Sequence, residues 1–212
     1  MRKANTTALM IVTLGLLVVC LSGWTNPVIQ KNKKTIIRRL TILKYPVELS
    51  FKFKGQLLTS NDTVLWAEGI RTSEFDADAD WLKDFTICLK NTGGKTMTYT
   101  QVNLFFPEII WNGGVAMKQI HLGVDPNRKF SRPELRLAPN ESLEIPLAER
   151  YDDIRTLVKT LGSGFSIENL SKLEVEFHAG LFDDGTLFET GTWYRRNADP
   201  NDPHKWIAIR EK

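Results

Sequence analysis

Cysteine and histidine are scarce in this chain of 212 residues, which holds two cysteines and three histidines. Two cysteines exclude a disulfide framework and a four-cysteine zinc site. Glycine (14) and proline (9) occur at ordinary frequencies, so collagen-like and low-complexity sequences are excluded as well. The hydrophobic fraction of 42% suffices for a folded core, and the length predicts one or two domains.

Familiar catalytic motifs are also missing. The sequence contains no G-x-S-x-G nucleophile motif and no H-E-x-x-H metal motif. The three histidines, His121, His178 and His204, are separated from one another along the chain. Cys88 lies in an alternating apolar stretch, which predicts a buried and unreactive thiol. We therefore expect a chain that is not an enzyme and that binds no cofactor.

The N-terminal residues have the order of a secretory signal. Two basic residues, Arg2 and Lys3, precede an apolar run over residues 8–21, and small residues follow it. The run is about 14 residues long, shorter than the roughly 20 that cross a bilayer. We predict a helical signal peptide or signal anchor at residues 1–23 and an exported chain, in the periplasm, at the cell surface or outside the cell. Membrane anchoring by residues 8–21 and lipidation at Cys20 are alternatives.

Positive charge is concentrated at the start of the chain. Of the 28 Lys and Arg residues, eight lie in residues 1–44, which hold no acidic residue. Residues 45–212 therefore carry 20 basic and 25 acidic side chains, a net charge of −5, which argues against nucleic acid as a partner. Residues 24–45 are interpreted as a basic leader or as a first strand with its lysines outside. The side chains that would contact an anionic membrane surface are Lys31, Lys33, Lys34, Arg38 and Arg39.

Alternation of apolar and polar residues with a period of two predicts strands along most of the chain. Pro107 is expected to end one strand and to begin a long loop that reaches Pro133. The turn sequence Asp183–Thr186 predicts a hairpin between the strands on either side of it. The predicted strands cover residues 47–54, 85–90, 98–106, 143–147, 173–181 and 188–194.

One segment has helical periodicity instead. Apolar residues recur at intervals of three and four from Tyr151 to Leu161, with Asp152 and Asp153 in the first turn and Gly162 after the last. This pattern predicts one short inserted α-helix at about 149–161. Because no repeat or linker divides the chain, we predict that residues 46–212 form a single domain, a mainly β, antiparallel sandwich.

Two segments resemble the immunoglobulin-like domains of uncharacterised bacterial exported proteins. The first is FTICLKNTGGKTMT at residues 85–98, a strand, a turn and a strand. The second is RLAPNESLEI at residues 136–145, where a proline and a small turn precede a strand. The resemblance covers residues 80–195 and lacks the paired cysteines of antibody domains. It implies an antiparallel Ig-like β-sandwich and does not imply an activity.

Long loops on a rigid sandwich often carry binding residues, so the predicted loop at 107–133 is a candidate binding surface. The segment from Trp193 to Trp206 is a second candidate, because its arginines suit carboxylates or phosphates. We expect a non-enzymatic interaction module of the cell envelope that binds an envelope protein or a polysaccharide. The candidate binding residues are Trp111, Arg128, Lys129, Phe130, Arg132, Arg195 and Arg196.

Two other functions remain open. A carbohydrate-binding module would present at least two tryptophans in one exposed plane. A small metal-dependent hydrolase would instead bring His178, Asp183 and Asp199 together. The tryptophans considered for the first are Trp66, Trp81, Trp111 and Trp193.

A calcium loop is the remaining metal hypothesis. Asp76, Asp78 and Asp80 have the D-x-D-x-D order that begins an EF-hand loop. The next residue is Trp81 rather than glycine, and Ile87 stands where the bidentate glutamate belongs. The segment is therefore not an EF-hand, and a looser calcium site on the three aspartates is the form of the hypothesis that remains.

Overall fold

Two β-sheets and one short α-helix make up most of the regular structure in a computed structural model of the chain. The structure describes residues 32–40, 45–59, 61–63, 69–125, 134–199, 201–202 and 205–209. All of these belong to one compact unit, Lys31–Lys212. The predicted signal helix at residues 1–23 lies outside the described residues.

The described residues contain thirteen strands and one α-helix, α1 (Tyr151–Leu161). Short 3₁₀ helices occur at Trp81–Asp84, Leu147–Arg150 and Ile167–Asn169. The strands are β1 (Asn32–Leu40), β2 (Val47–Phe53), β3 (Gln56–Leu57), β4 (Asn61–Thr63), β5 (Gly69–Ala77), β6 (Phe85–Asn91), β7 (Met97–Trp111), β8 (Gly114–Gly123), β9 (Ser142–Pro146), β10 (Lys172–Phe182), β11 (Leu187–Glu189), β12 (Thr192–Arg196) and β13 (Trp206–Ala208).

The larger sheet has nine strands arranged around β10. Along one edge β10 pairs with β7, which pairs in turn with β8. Along its other edge β10 pairs with β1 at Lys172–Glu176 and with β11 at Ala179–Leu181. Strands β5 and β4 continue the sheet beyond β1, and β12 and β13 continue it beyond β11. The smaller sheet has the order β3-β2-β6-β9.

Alternating apolar residues from both sheets meet in one core. Val102 and Val175 from the larger sheet are fully buried, as is Ile87 from the smaller one. Helix α1 adds Ile154 and Val158 to the same cluster. Burying a side chain of this kind stabilises the fold by about 1.5–3 kcal/mol, so apolar alternation specifies which sheet faces meet. The mainly β fold with two sheets and one short helix is confirmed, and it is consistent with the predicted sandwich.

One strand pairing departs from the antiparallel prediction. β1 runs parallel to β10, with Ile36 beside Leu173, while its other edge pairs antiparallel with β5. Strands β1 and β10 are more than 130 residues apart in the sequence, so no tight turn dictates their relative direction. Ile36 on β1 is fully buried, so burial of this apolar side chain favours an interior position for β1 in the sheet.

Pro107 does not end β7, contrary to the prediction. The strand continues to Trp111, and the pairing of β7 with β8 shifts register between Phe106 and Ile110. Proline is tolerated at such an irregularity because its missing N–H removes no ladder hydrogen bond there. Much of the predicted loop from Pro107 is therefore the β7–β8 hairpin. The sequence signal for it was Asn112-Gly113, a pair that favours tight hairpin turns.

The predicted return strand at 188–194 is divided in two. β11 ends at Glu189, and β12 begins at Thr192 after a two-residue turn. The turn residues Thr190 and Gly191 have φ angles of 44° and 88°. Two successive residues with positive φ reverse the chain within two residues, which produces a second hairpin where the sequence pattern predicted one continuous strand.

Candidate functional site

The end of the β7–β8 hairpin exposes large apolar side chains. Asn112 and Gly113 form its turn with φ angles of 49° and 78°, in the region that tight hairpin turns require. We define the hairpin tip as the four exposed apolar residues beside this turn. They are Ile110 (63% exposed), Trp111 (51%), Val115 (41%) and Met117 (38%).

The hairpin tip carries no charge, and the charged residues beside it have partners. Residues 109–117 include no acidic or basic side chain. The carboxylate of Glu108 accepts hydrogen bonds from the backbone N–H and hydroxyl of Ser171 (2.8 and 2.6 Å). Lys118 forms an ion pair with Asp153 on α1 (3.1 Å). The tip therefore offers an apolar surface with little electrostatic preference.

The predicted binding residues that the structure describes lie on two different strands. Trp111 lies in the hairpin tip, whereas Arg128, Lys129, Phe130 and Arg132 lie outside the described residues. Arg195 and Arg196 lie on β12: Arg195 is exposed, and the guanidinium of Arg196 stands 4.1 Å from the centre of the Trp206 ring.

A cleft at the other end of β7 has aromatic and polar walls. We call it the Trp193 cleft; its volume is about 480 Å³. Its residues come from the turn after β6, the end of β10 with its turn, β12 and the segment after β13. Sequence reasoning missed it because these residues converge only through the pairing of strands distant in the chain. The cleft is lined by Gly93, Gly94, Lys95, Phe182, Thr186, Trp193 and Ile209.

Lys95 and Thr186 line the Trp193 cleft, and together with Asp184 beside it they form its polar rim. Lys95 forms an ion pair with Asp184 (2.5 Å), and its Nζ lies 5.7 Å from the centre of the Trp193 ring. The hydroxyl of Thr186 donates to Asp184 Oδ1 (2.6 Å). Partial burial acts to raise the pKa of Asp184, but hydrogen bonds from Lys95 and Thr186 outweigh it and hold that pKa below its usual value. Asp184 is therefore an ionised acceptor at neutral pH.

Two of the three aspartates in the calcium hypothesis, Asp78 and Asp80, contact neighbouring side chains. Asp76 is exposed at the end of β5, and Asp78 Oδ2 lies 3.9 Å from Lys54 Nζ. Asp80 accepts hydrogen bonds from Lys83 (2.7 Å) and from the phenol of Tyr151 (2.9 Å). Among the residues that the structure describes, no three His, Cys, Asp or Glu side chains form a group that could hold a metal ion.

The basic residues near the N-terminus differ in accessibility. Lys33 is exposed and pairs with Glu74 (2.7 Å), whereas Lys34 is only 2% exposed and donates to the carbonyl of Leu170 (2.7 Å). Arg38 is half-buried and donates to the carbonyl of Leu49. Lys31 and the side chain of Arg39 lie outside the described part of the chain. Lys34 is therefore not available to a membrane surface.

Of the residues in the hydrolase hypothesis, His178 and Asp199 have other partners, and Asp183 is exposed in the turn after β10. His178 lies between Glu176 (3.8 Å) and Glu189 (3.6 Å), and interaction with Glu176 raises its pKa. The carboxylate of Asp199 accepts a backbone hydrogen bond within its own turn, from Asn201 (2.9 Å). Cys88 is buried, as predicted, and burial raises the pKa of its thiol.

Of the tryptophans considered, the three that the structure describes, Trp81, Trp111 and Trp193, do not share a stacking face. Trp81 is fully buried in the core, and Trp66 lies outside the described residues. Trp111 ends β7, whereas Trp193 packs against Phe182, the partner of Met97 at the start of β7. A strand of this length spans roughly 45 Å, so Trp111 and Trp193 lie far apart.

Comparison with known proteins found no relatives: no protein-family model, curated protein or solved structure matches the chain. In the described residues, no helix is both long enough and apolar enough to cross a membrane. The hairpin tip and the Trp193 cleft remain as candidate binding surfaces.

Proposed function

We propose that this chain is an exported, non-enzymatic interaction module of the cell envelope and that a protein partner binds its hairpin tip. The observation that supports this most directly is the exposure of four large apolar side chains on an uncharged stretch of nine residues. Large apolar side chains exposed together around one hairpin turn mark a candidate interaction site.

The shape and chemistry of the hairpin tip favour a protein partner over a sugar. The tip is a turn between two strands, so it presents a convex surface that fits a groove. Its side chains offer no charged group and few hydrogen-bonding groups to a hydroxyl-rich ligand. Trp111 is half exposed, and tryptophan is enriched among the residues that dominate protein–protein binding energy.

The magnitude of the apolar contact indicates an anchor within a larger interface. Full burial of a large apolar side chain contributes about 1.5–3 kcal/mol, and these four side chains are already partly covered. Burying what remains exposed contributes on the order of 4 kcal/mol, which is similar to the lowest estimates of the cost of association. A stable complex therefore requires contacts with neighbouring surfaces as well.

The remaining parts of the proposal come from the sequence. The order of basic, apolar and small residues at 1–23 supports export. The resemblance of residues 85–98 and 136–145 to immunoglobulin-like domains supports an Ig-like relationship, and the two packed sheets are compatible with it.

Site-specific photo-crosslinking tests the binding surface. A photoreactive amino acid replaces Trp111 in the full chain, and a matched chain carries it at Leu57, which is 63% exposed on the smaller sheet. We expect a protein adduct of defined mass from position 111 in cells of the native host and none from position 57. Excess unlabelled wild-type chain should suppress the adduct, and an Ile110→Asn, Trp111→Ser variant should not. Absence of an adduct at 111, or the same adduct at both positions, contradicts the proposal.

Export requires a separate measurement. Fractionation of the native host should recover the chain outside the cytoplasm, and deletion of residues 1–23 should retain it inside. Recovery of the full-length chain with a cytoplasmic marker contradicts the export part of the proposal and leaves the binding surface to be judged by crosslinking.

A further inference from the structure

We propose that the Trp193 cleft is a binding site for a neutral saccharide. This inference does not depend on the hairpin tip, which lies at the other end of β7. Its ligand class follows from the combination of an aromatic wall and an ion-paired, hydroxyl-bearing rim within one cavity of about 480 Å³. That volume lies within the range of roughly 300–1,000 Å³ that small-molecule sites occupy.

The aromatic wall is held in a fixed orientation. The ring of Trp193 packs against Phe182 and Phe188, with 5.2 Å between ring centres in each case. The backbone N–H of Ile209 donates to the carbonyl of Trp193 (2.7 Å), which holds the following segment of the chain beside it. A pre-oriented indole offers a flat apolar face to the C–H groups on one side of a pyranose ring.

The rim presents donors and acceptors next to that wall. The carboxylate of Asp184 pairs with Lys95 through Oδ2 (2.5 Å) and accepts a hydrogen bond from the Thr186 hydroxyl on Oδ1 (2.6 Å). The three side chains therefore form one connected polar network. Lys95 is also 3.4 Å from the Thr186 hydroxyl. A sugar hydroxyl both donates and accepts hydrogen bonds, and it can bridge an ammonium group and a carboxylate of such a set.

The charge of the cleft selects against other ligand classes. Lys95 is the charged residue of the lining, and Asp184, which pairs with it beside the cleft, balances its charge. An anion would compete with Asp184 for Lys95, and a cation would compete with Lys95 for Asp184. A wholly apolar ligand would cover the rim without replacing its hydrogen bonds to water, which is unfavourable. A neutral ring with hydroxyl groups avoids all three conflicts.

Two of the residues that line the cleft, Gly93 and Gly94, have no side chain. A Cβ added at Gly94 would meet no atom within 4 Å, and the φ of Gly94 lies outside the left-handed region. A larger side chain at position 94 is therefore compatible with the fold and would fill space that the ligand needs. This provides a blocking variant that alters no proposed contact group.

Isothermal titration of the full chain with three neutral disaccharides tests the proposal. The probes are cellobiose, maltose and N,N′-diacetylchitobiose, each taken to its solubility limit. We expect at least one to bind with a dissociation constant in the millimolar range or below. Gly94→Leu should abolish that binding, and Lys95→Met and Thr186→Val should each weaken it by roughly tenfold, since each removes a hydrogen-bonding group.

Two controls make the result decisive. Trp111→Ser alters the hairpin tip alone and should leave sugar binding unchanged, so a failure of the tip proposal does not affect this one. Glucuronic acid and glucosamine test the charge argument and should bind more weakly than the neutral probes. The proposal is overturned if none of the neutral probes binds, if binding survives Gly94→Leu, or if a charged sugar is preferred.

Discussion

Lys34 and Trp81 donate hydrogen bonds to the same carbonyl oxygen, that of Leu170, at 2.7 and 3.0 Å. Both side chains are almost wholly buried. One comes from the basic segment near the N-terminus and the other from the 3₁₀ helix before β6, so this shared acceptor links the two in the core.

Replacing Lys34 with methionine should not destabilise the protein. Trp81 still satisfies the Leu170 carbonyl. A methionine of similar volume fills the same space without the desolvation cost of the buried ammonium, which the carboxylates of Glu108 and Asp78 only partly offset. Chemical denaturation should give a free energy of unfolding unchanged or higher by about 1 kcal/mol. Lys33→Met, at the exposed neighbouring position, is the control. A marked loss of stability in Lys34→Met would show that the buried charge is required.

The same variant should change the pH dependence of stability in the alkaline range. Burial lowers the pKa of Lys34, and the carboxylates of Glu108 and Asp78 only partly oppose this. Burying the charged ammonium lowers the stability of the fold, and this cost is complete at any pH below the pKa of Lys34 in the folded protein. The cost disappears as the pH rises from that pKa towards 10.5, the value in the unfolded chain. The wild type should therefore gain stability relative to Lys34→Met over that interval. Parallel pH profiles of the two proteins would contradict this.

Removing the phenol of Tyr151 should weaken the fold and raise the pKa of Asp80. Hydrogen bonds from Lys83 and from Tyr151 lower that pKa. The associated stability is present above the unfolded pKa of Asp80 and is lost as the pH falls through the folded one. Tyr151→Phe should cost about 1 kcal/mol at neutral pH, and carboxyl NMR should show Asp80 titrating at higher pH. Tyr194→Phe, which removes a phenolic hydroxyl elsewhere, should leave the pKa of Asp80 unchanged.

His178 should make stability fall as the pH rises above the ordinary range of histidine. Interaction with Glu176, supported by the nearby charge of Glu189, raises the pKa of His178 against the effect of burial. The added stability is complete below the unfolded pKa of 6.5 and is lost as the pH rises through the folded value. Denaturation profiles of wild type and His178→Gln should converge as the pH rises through that window. A constant difference between them would assign the effect to another group.

Alanine at Gly123 should be far more disruptive than alanine at Gly113. Both glycines have positive φ, 82° and 78°, so both substitutions strain the backbone by about 1–2 kcal/mol. Only at Gly123 would the new Cβ meet other atoms, and it would overlap the carbonyl oxygen of Thr98. Thermal unfolding should show a clearly larger loss for Gly123→Ala. Equal losses would mean that backbone strain alone accounts for both.

Local sequence patterns were sufficient for most strands and for the helix. The alternation at residues 47–54 and 85–90 corresponds to β2 and β6, and the helix predicted at about 149–161 is α1 with the 3₁₀ turn before it. These predictions succeeded because residue periodicity depends on neighbours along the chain. At Pro107 the local rule failed, because a register shift between paired strands accommodates the proline.

The candidate sites were only partly predictable. Trp111 could be identified in the sequence as a candidate, but its exposure results from a hairpin that extends past the pairing of β7 with β10. Lys95 and Trp193 are separated by 98 residues and meet because strand pairing places β12 beside the turn that carries Lys95. No local pattern in either segment encodes that approach.

The sequence by itself determined the β-rich class, the short helix and the acidic character of residues 45–212, since composition and periodicity are properties of the chain alone. Tertiary structure decided the direction of β1, the burial of Lys34 and the approach of Lys95 to Trp193. The physical reason is that each of these depends on which distant strand lies alongside, and that choice minimises the exposed apolar surface of the whole molecule rather than of any one segment.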